Sequence, residues 1–171
     1  MQKKALRERF LRLRKEGFVF DAATFETHLR DVLVKRAPET VGLYCPIGQE
    51  IDVLGMLADD AAYRDKIALP VIDDLKKGLM HFARFEGYDC LKEGFRGILE
   101  PKDAPLVVPE LLIIPALCAD ASGFRLGYGG GFYDRYLASH ENLYAVGVLA
   151  EAFFVNSLPA QSTDYRLPPP P

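Results

Sequence analysis

The stretch LLIIPALCADASGFRLGYGGGFYDRYLA, residues 111–138, carries an apolar run through a glycine-rich loop directly into a helical pattern. The opening LLIIP is a short continuous apolar segment with β-branched residues, which reads as a strand buried on both faces. Gly123, Gly127, Gly129, Gly130 and Gly131 crowd the loop, and residues 132–138 read as the helix that follows. Glycines allow successive backbone N–H groups to point into one concavity and let a ligand approach the main chain. A helix start adds its positive dipole end, and Arg125 adds a fixed cation suited to bidentate phosphate contacts. On residue types alone the segment is either a phosphate cradle or a tight strand-to-helix turn with Arg125 and Asp134 on its surface. It is not a Rossmann fingerprint, because Phe132 stands where glycine is needed, and it lacks the Gly-Lys-Ser/Thr of a P-loop.

Working outward, residues 41–44, 66–72, 79–85 and 144–149 are further short apolar runs that predict strands. Residues 52–63 place Val53, Leu54, Leu57 and Ala61 on one helical side, with Asp52 as N-cap. Strand, helix, strand in that order predicts parallel pairing and a helix-covered α/β sheet. Residues 22–35 predict a helix that ends before Pro38. The N-terminal helix, residues 3–16, has Leu6, Phe10 and Leu13 at helical spacing, with Lys3, Lys4, Arg7, Arg9, Arg12, Arg14 and Lys15 as a basic exposed side. Residues 87–109, polar and interrupted by three prolines, read as a long surface connection.

The chain has 171 residues, 49% hydrophobic and 26% charged, which fits one domain over 1–167 with a proline tail at 168–171. A net charge of -3 argues against a general nucleic-acid binder. Cys45, Cys90 and Cys118 form no Cys-x-x-Cys pair, and His28, His81 and His140 show no ligand spacing. The longest apolar stretch, residues 111–119, is far shorter than the ~20 residues of a membrane span. With a charged start and no apolar signal region, these features predict a cytoplasmic protein with reduced thiols and no membrane partner.

The run GFRLGYGGGFYDRYL resembles the signature of the 5-formyltetrahydrofolate cyclo-ligases, also called 5,10-methenyltetrahydrofolate synthetases. The resemblance implies a three-layer α/β/α sandwich with a mostly parallel sheet, related to phosphosugar isomerases and CoA transferases. It implies ATP as co-substrate, wrapped by Gly123, Arg125, Leu126, Gly127, Tyr128, Gly129, Gly130, Gly131, Phe132 and Tyr133. The opening KKALR resembles the family's Lys-x-x-x-Arg pair and assigns Lys3 and Arg7 to ATP. Four residues apart on a helix, the two share a face. The segment YCPIGQEIDV resembles the substrate loop, which assigns Cys45 and Glu50 to the folate together with Tyr128 and Tyr133. Asp134 and Asp164 take the Mg²⁺ positions, and Arg125, Lys3 and Arg7 the developing phosphate charge. GFRGILEP resembles a Gly-Ile-x-Glu-Pro element, for which Phe95 and Glu100 receive no role. Ala116, Ala119 and Phe132 depart from the family pattern.

The implied reaction is ATP-dependent closure of 5-formyltetrahydrofolate to 5,10-methenyltetrahydrofolate, releasing ADP and phosphate, by a monomer. Alternatives are a catalytically impaired nucleotide- or folate-binding protein, a sugar-phosphate enzyme on the same fold, and a basic-helix module for RNA or anionic membranes.

Overall fold

A computed structural model describes residues 2–168. The chain begins with helices α1 (Lys3–Glu16) and α2 (Ala22–Arg36), then β1 (Val41–Gly42) and α3 (Val53–Ala58). Next come β2 (Ile67–Asp74), β3 (Leu79–Arg84), β4 (Leu91–Glu93), β5 (Leu99–Pro101) and β6 (Leu106–Val107). The glycine-rich half follows as β7 (Leu111–Pro115), β8 (Cys118–Asp120), β9 (Arg125–Leu126) and α4 (Phe132–Ala138), and β10 (Tyr144–Val148) and β11 (Phe154–Val155) complete it. Asp21 caps α2 by accepting from the Thr24 N–H at 3.1 Å, and Asp52 caps α3 by accepting from the Gly55 N–H at 2.7 Å. Each cap satisfies an N–H that the helix itself leaves open.

The central six-stranded sheet has the order β10-β7-β1-β2-β3-β6. β10, β7, β1 and β2 are parallel neighbours, whereas β3 pairs antiparallel with both β2 and β6. The sheet is therefore mixed but mostly parallel. Strand β7 sits inside it, and its side chains alternate between two cores. Leu111 and Ile113 join Leu29 and Leu33 of α2 and Val53, Leu54 and Leu57 of α3. Leu112 and Ile114 join Phe82, Ala145, and Tyr136 and Leu137 of α4. A period of two that feeds helices on both faces makes the three-layer α/β/α arrangement. A smaller sheet, β11-β8-β9, carries α1 through Leu6, Phe10, Leu117, Leu126 and Phe153.

Three expectations are corrected. The helix predicted over 52–63 stops at Ala58, and a turn with a 3-10 segment, Arg64–Lys66, leads into β2. Asp60, accepting from Ala62 N–H and Arg30, fixes that turn in place of further helix. The connection over 87–109 contains the β4–β5 hairpin and β6. Its strands are too short to show an alternating pattern, and Glu100 of β5 reaches the Ile72 N–H of β2 at 3.4 Å. Finally, Arg14 is buried, not part of the exposed basic side of α1. Of the proline tail, residues 169–171 lie outside the described residues.

Candidate active site

The C-terminal ends of β1, β7 and β10 lie at one edge of the parallel part of the sheet, the edge at which parallel α/β sheets place their ligands. Behind it, the turn before the glycine loop is fixed by the buried Asp120. Its carboxylate accepts from the Ser122 N–H at 3.0 Å, the Phe124 N–H at 3.2 Å and the Leu158 N–H at 2.7 Å. Gly123 then has φ +86, and a Cβ there would collide with the Leu167 carbonyl. The Leu167 N–H donates back to the Gly123 carbonyl at 2.9 Å, so the C-terminal segment is laid directly on the loop.

Arg125 on β9 points Nη1 at Asp134 Oδ1, 2.9 Å away, and its side chain is only 5% exposed. Its Nε and Nη2 are buried without hydrogen-bond partners. The same Asp134 oxygen accepts from the Tyr165 N–H at 3.0 Å. Asp134 belongs to the first turn of α4, a helix of only seven residues whose N-cap Gly131 is left-handed and supplies no side-chain cap. The positive helix end expected here is therefore short, and Arg125 is the stronger source of positive charge.

Helix α1 approaches the loop from the other side. Arg7 Nε donates to the Gly127 carbonyl at 2.8 Å, and its guanidinium lies against Gly129, which has φ +104. Lys3 Nζ contacts Asp164 at 2.6 and 2.5 Å. Burial pushes the Asp164 carboxyl up, but hydrogen bonds from Lys3 and the Gln161 N–H, with the charges of Lys3 and Arg125, outweigh it and hold the group below its ordinary value. Lys3, Arg7, Gly127, Gly129, Arg125, Asp134 and Asp164 thus converge. Gly127 faces open space, leaving the loop backbone accessible there. Gly130 and Gly131 are closed by neighbours, the first by the Phe132 ring and the second by Arg135.

Glu50 sits in the loop after β1. Its Oε2 accepts from the Ile47 N–H at 2.9 Å, while Oε1 is buried without a partner. Burial raises its pKa despite the opposing Ile47 N–H, Tyr128 hydroxyl and Arg14 charge. Tyr128 and Tyr133 both have phenols raised by burial and by the charge of Glu50, which brings the glycine loop and the Glu50 loop into one electrostatic environment. Cys45 packs into the core with Val41 and Leu43, and burial pushes its thiol up to about 11. That is an inert cysteine and not an activated one.

The sequence reading missed Arg14. Leu6, Phe10 and Arg14 recur at four-residue steps and are the buried residues of α1. That spacing was the available signal, overridden by the usual exposure of arginine. The C-terminal Tyr165–Leu167 contacts had no local signal at all.

Two carboxylates close to the loop suit a hard divalent cation that takes its remaining ligands from phosphate and water. Among the described residues no group of three or more His, Cys, Asp or Glu side chains forms a protein-only metal cage. No helix of the described residues is long and apolar enough to cross a membrane.

The mostly parallel sheet, the glycine loop and the cations of α1 and β9 define an α/β protein with a candidate anion site. The family model of the 5-formyltetrahydrofolate cyclo-ligases matches residues 1–168, and this chain belongs to that family. It is similar to the 5-formyltetrahydrofolate cyclo-ligase of Haemophilus influenzae, with 29% identity over 82% of this chain and 79% of that one. It is likewise similar to the Escherichia coli K12 cyclo-ligase, with 31% identity over 75% of each. In three dimensions it matches the 5,10-methenyltetrahydrofolate synthetase of Aquifex aeolicus with a TM-score of 0.73 and 24% identity, covering 98% of this chain and 87% of the other. A synthetase from Mycoplasma pneumoniae matches with a TM-score of 0.66 and 20% identity, covering 98% and 96%. At these identities the two structures speak for the shared fold.

Proposed function

We propose that this chain closes 5-formyltetrahydrofolate to 5,10-methenyltetrahydrofolate at the expense of ATP, releasing ADP and phosphate. Family membership supports the reaction, and one observation supports its location. Arg125 is buried, anchored by Asp134 through one nitrogen, and keeps Nε and Nη2 unpartnered beside the glycine loop. A buried guanidinium with open donors is a site for an anion, and a phosphate oxygen pair matches its geometry.

The formyl oxygen attacks the terminal phosphorus of ATP, and ADP departs. The second folate nitrogen then closes on the activated carbon, and the oxygen leaves with the phosphate. The formyl oxygen is a poor leaving group until it is phosphorylated. For the protein this is positioning and neutralisation of charge. Arg125, Lys3 and Arg7 neutralise the phosphates, and the open space beside Gly127 lets them approach. Tyr128 and Tyr133 border the folate, and Glu50 accepts from its N–H groups. Asp134 and Asp164 would hold Mg²⁺. The cation would supply further neutralisation of the polyphosphate. The catalytic unit in this reading is a monomer.

The test is a mixture of protein, 5-formyltetrahydrofolate and Mg²⁺ with and without ATP, followed by the near-ultraviolet absorbance of the methenyl product. An ATP-dependent rise is expected. Tight folate binding with a flat trace would overturn catalysis and leave a binding protein.

A further inference from the structure

Asp120, the last residue of β8, is 4% exposed. Among the described residues it has no ion-pair partner, and its carboxylate is held by main-chain N–H groups. Oδ1 accepts from Ser122 at 3.0 Å and from Phe124 at 3.2 Å, both in the turn that joins β8 to β9. Oδ2 accepts from Leu158 at 2.7 Å, 38 residues further along the chain. Charge-assisted bonds of this kind offset the cost of withdrawing a carboxylate from water. The turn by itself needs one oxygen. The second is committed to a different segment.

Those two segments form two walls of the candidate site. On one side, the turn sets the register of the β8–β9 hairpin, in which Ala119 pairs with Arg125. A shift there re-aims the buried guanidinium and the glycine loop that follows it. On the other side, Leu158 lies early in a stretch, residues 156–167, that has no helix or strand of its own. Its ties to the rest of the molecule therefore decide where it runs. Further along it, Asp164 meets Lys3 at 2.6 and 2.5 Å, and the Tyr165 N–H donates to Asp134 at 3.0 Å. Arg166 Nε donates to the Ser122 carbonyl, and the Leu167 N–H donates to the Gly123 carbonyl at 2.9 Å. The walls stand close enough for the charge of Arg125 to help hold the Asp164 carboxyl low. Asp120 is the side chain that grips both.

We propose that Asp120 is a positioning residue for nucleotide binding, one oxygen fixing the turn that aims Arg125 and the other anchoring the segment that brings Asp164 to Lys3. The inference rests on the cyclo-ligase reading for the identity of the nucleotide, and it assigns Asp120 no contact with it. A polyphosphate held by groups from both walls binds well only while their separation is fixed in advance. Asparagine separates the two tasks. Its one carbonyl oxygen can keep the Ser122 and Phe124 bonds, which is ordinary turn chemistry for that residue. Its NH₂ then faces the Leu158 N–H, donor against donor. Asp120→Asn thus keeps the turn and releases the segment, and Asp120→Ala releases both.

The experiment measures dissociation constants for ATP in excess Mg²⁺, and separately for 5-formyltetrahydrofolate, in the wild type, Asp120→Asn and Asp120→Ala. Asp120→Asn is expected to weaken ATP about tenfold and Asp120→Ala further, with the folate constant within about twofold in both. Amide hydrogen exchange is followed alongside. In Asp120→Asn the Tyr165 and Leu167 N–H groups should lose protection while Ser122, Phe124 and strand β7 keep theirs; in Asp120→Ala the turn loses it too. An Asp120→Asn protein with the wild-type ATP constant overturns the assignment, as does one that weakens both ligands equally, the result of a merely structural role. Should the variants fail to fold, exchange in the wild type decides. Ser122, Phe124, Leu158 and Leu167 are expected to open as one unit and to be slowed together by ATP, and a Leu158 N–H that opens independently of the turn overturns the proposal. A wild type that binds ATP but forms no methenyl product refutes the cyclo-ligase reading and leaves Asp120 to be judged on the ATP constants. A wild type without affinity for ATP refutes both.

Discussion

Arg125 Nη1 donates to Asp134 Oδ1 at 2.9 Å, joining β9 to the first turn of α4 across the glycine loop. The bond fixes a guanidinium whose remaining buried nitrogens have no partner. Arg125→Ala removes these donors and leaves Asp134 without its cation. Turnover of 5-formyltetrahydrofolate is expected to fall at least tenfold, about 1.4 kcal/mol of barrier. Steady-state kinetics with both substrates checks this, and near-normal turnover would take Arg125 out of the site.

Lys3 and Asp164 tie the start of the chain to its end, and Asp164 titrates below its ordinary value in the folded protein. A depressed carboxyl contributes stability that is present above the unfolded pKa and lost as pH falls through the lower folded value. Melting temperatures followed from about pH 6 to about pH 2 should therefore show a smaller acid-side decline in Asp164→Asn than in the wild type. The pair is only partly buried, so solvent still screens it and the difference will be modest. Identical pH profiles would mean that Lys3 does not engage Asp164 in solution.

Burial raises the Glu50 pKa above its usual 4.5. If the carboxylate is the form that accepts from the pterin, folate affinity should fall as pH drops through that raised value. The loss begins at a higher pH than for an ordinary glutamate. In Glu50→Gln the affinity should be lower and this acid limb absent. Folate titrations across pH, without ATP, separate the outcomes, and an acid limb that persists in Glu50→Gln excludes Glu50 as its source.

Two glycines of one loop should respond differently. Gly123 combines φ +86 with a Leu167 carbonyl where a Cβ would go. Gly123→Ala should cost about 1–3 kcal/mol, several degrees of melting temperature for a chain of this size. Gly127 has open space around its Cβ position. Gly127→Ala should change stability by no more than about 0.5 kcal/mol but weaken ATP binding by obstructing the backbone. Calorimetry with and without ATP distinguishes the pair; equal melting losses would contradict the geometry.

Several elements were legible because they are local. The apolar run Leu111–Pro115, the glycine cluster and the helix Phe132–Ala138 stand where their pattern predicts them. The helix after Asp52 also forms, but Asp60 and its turn end it early. The β4–β5 hairpin escaped notice because three-residue strands carry no period.

Periodicity and caps depend on neighbours within a few positions, so the sequence by itself determined the strand–helix alternation, the α1 stripe and the glycine loop with its adjoining Arg125. What it could not determine was which charges meet. Lys3 finds Asp164 at a separation of 161 residues, and Arg7 finds Gly127 at 120. Arg14 reads locally as one more exposed cation, and only the packing of α1 on the β8–β9–β11 sheet removes it from water. Burial and partner choice are properties of the assembled layers, because desolvation depends on what the chain brings back from far away.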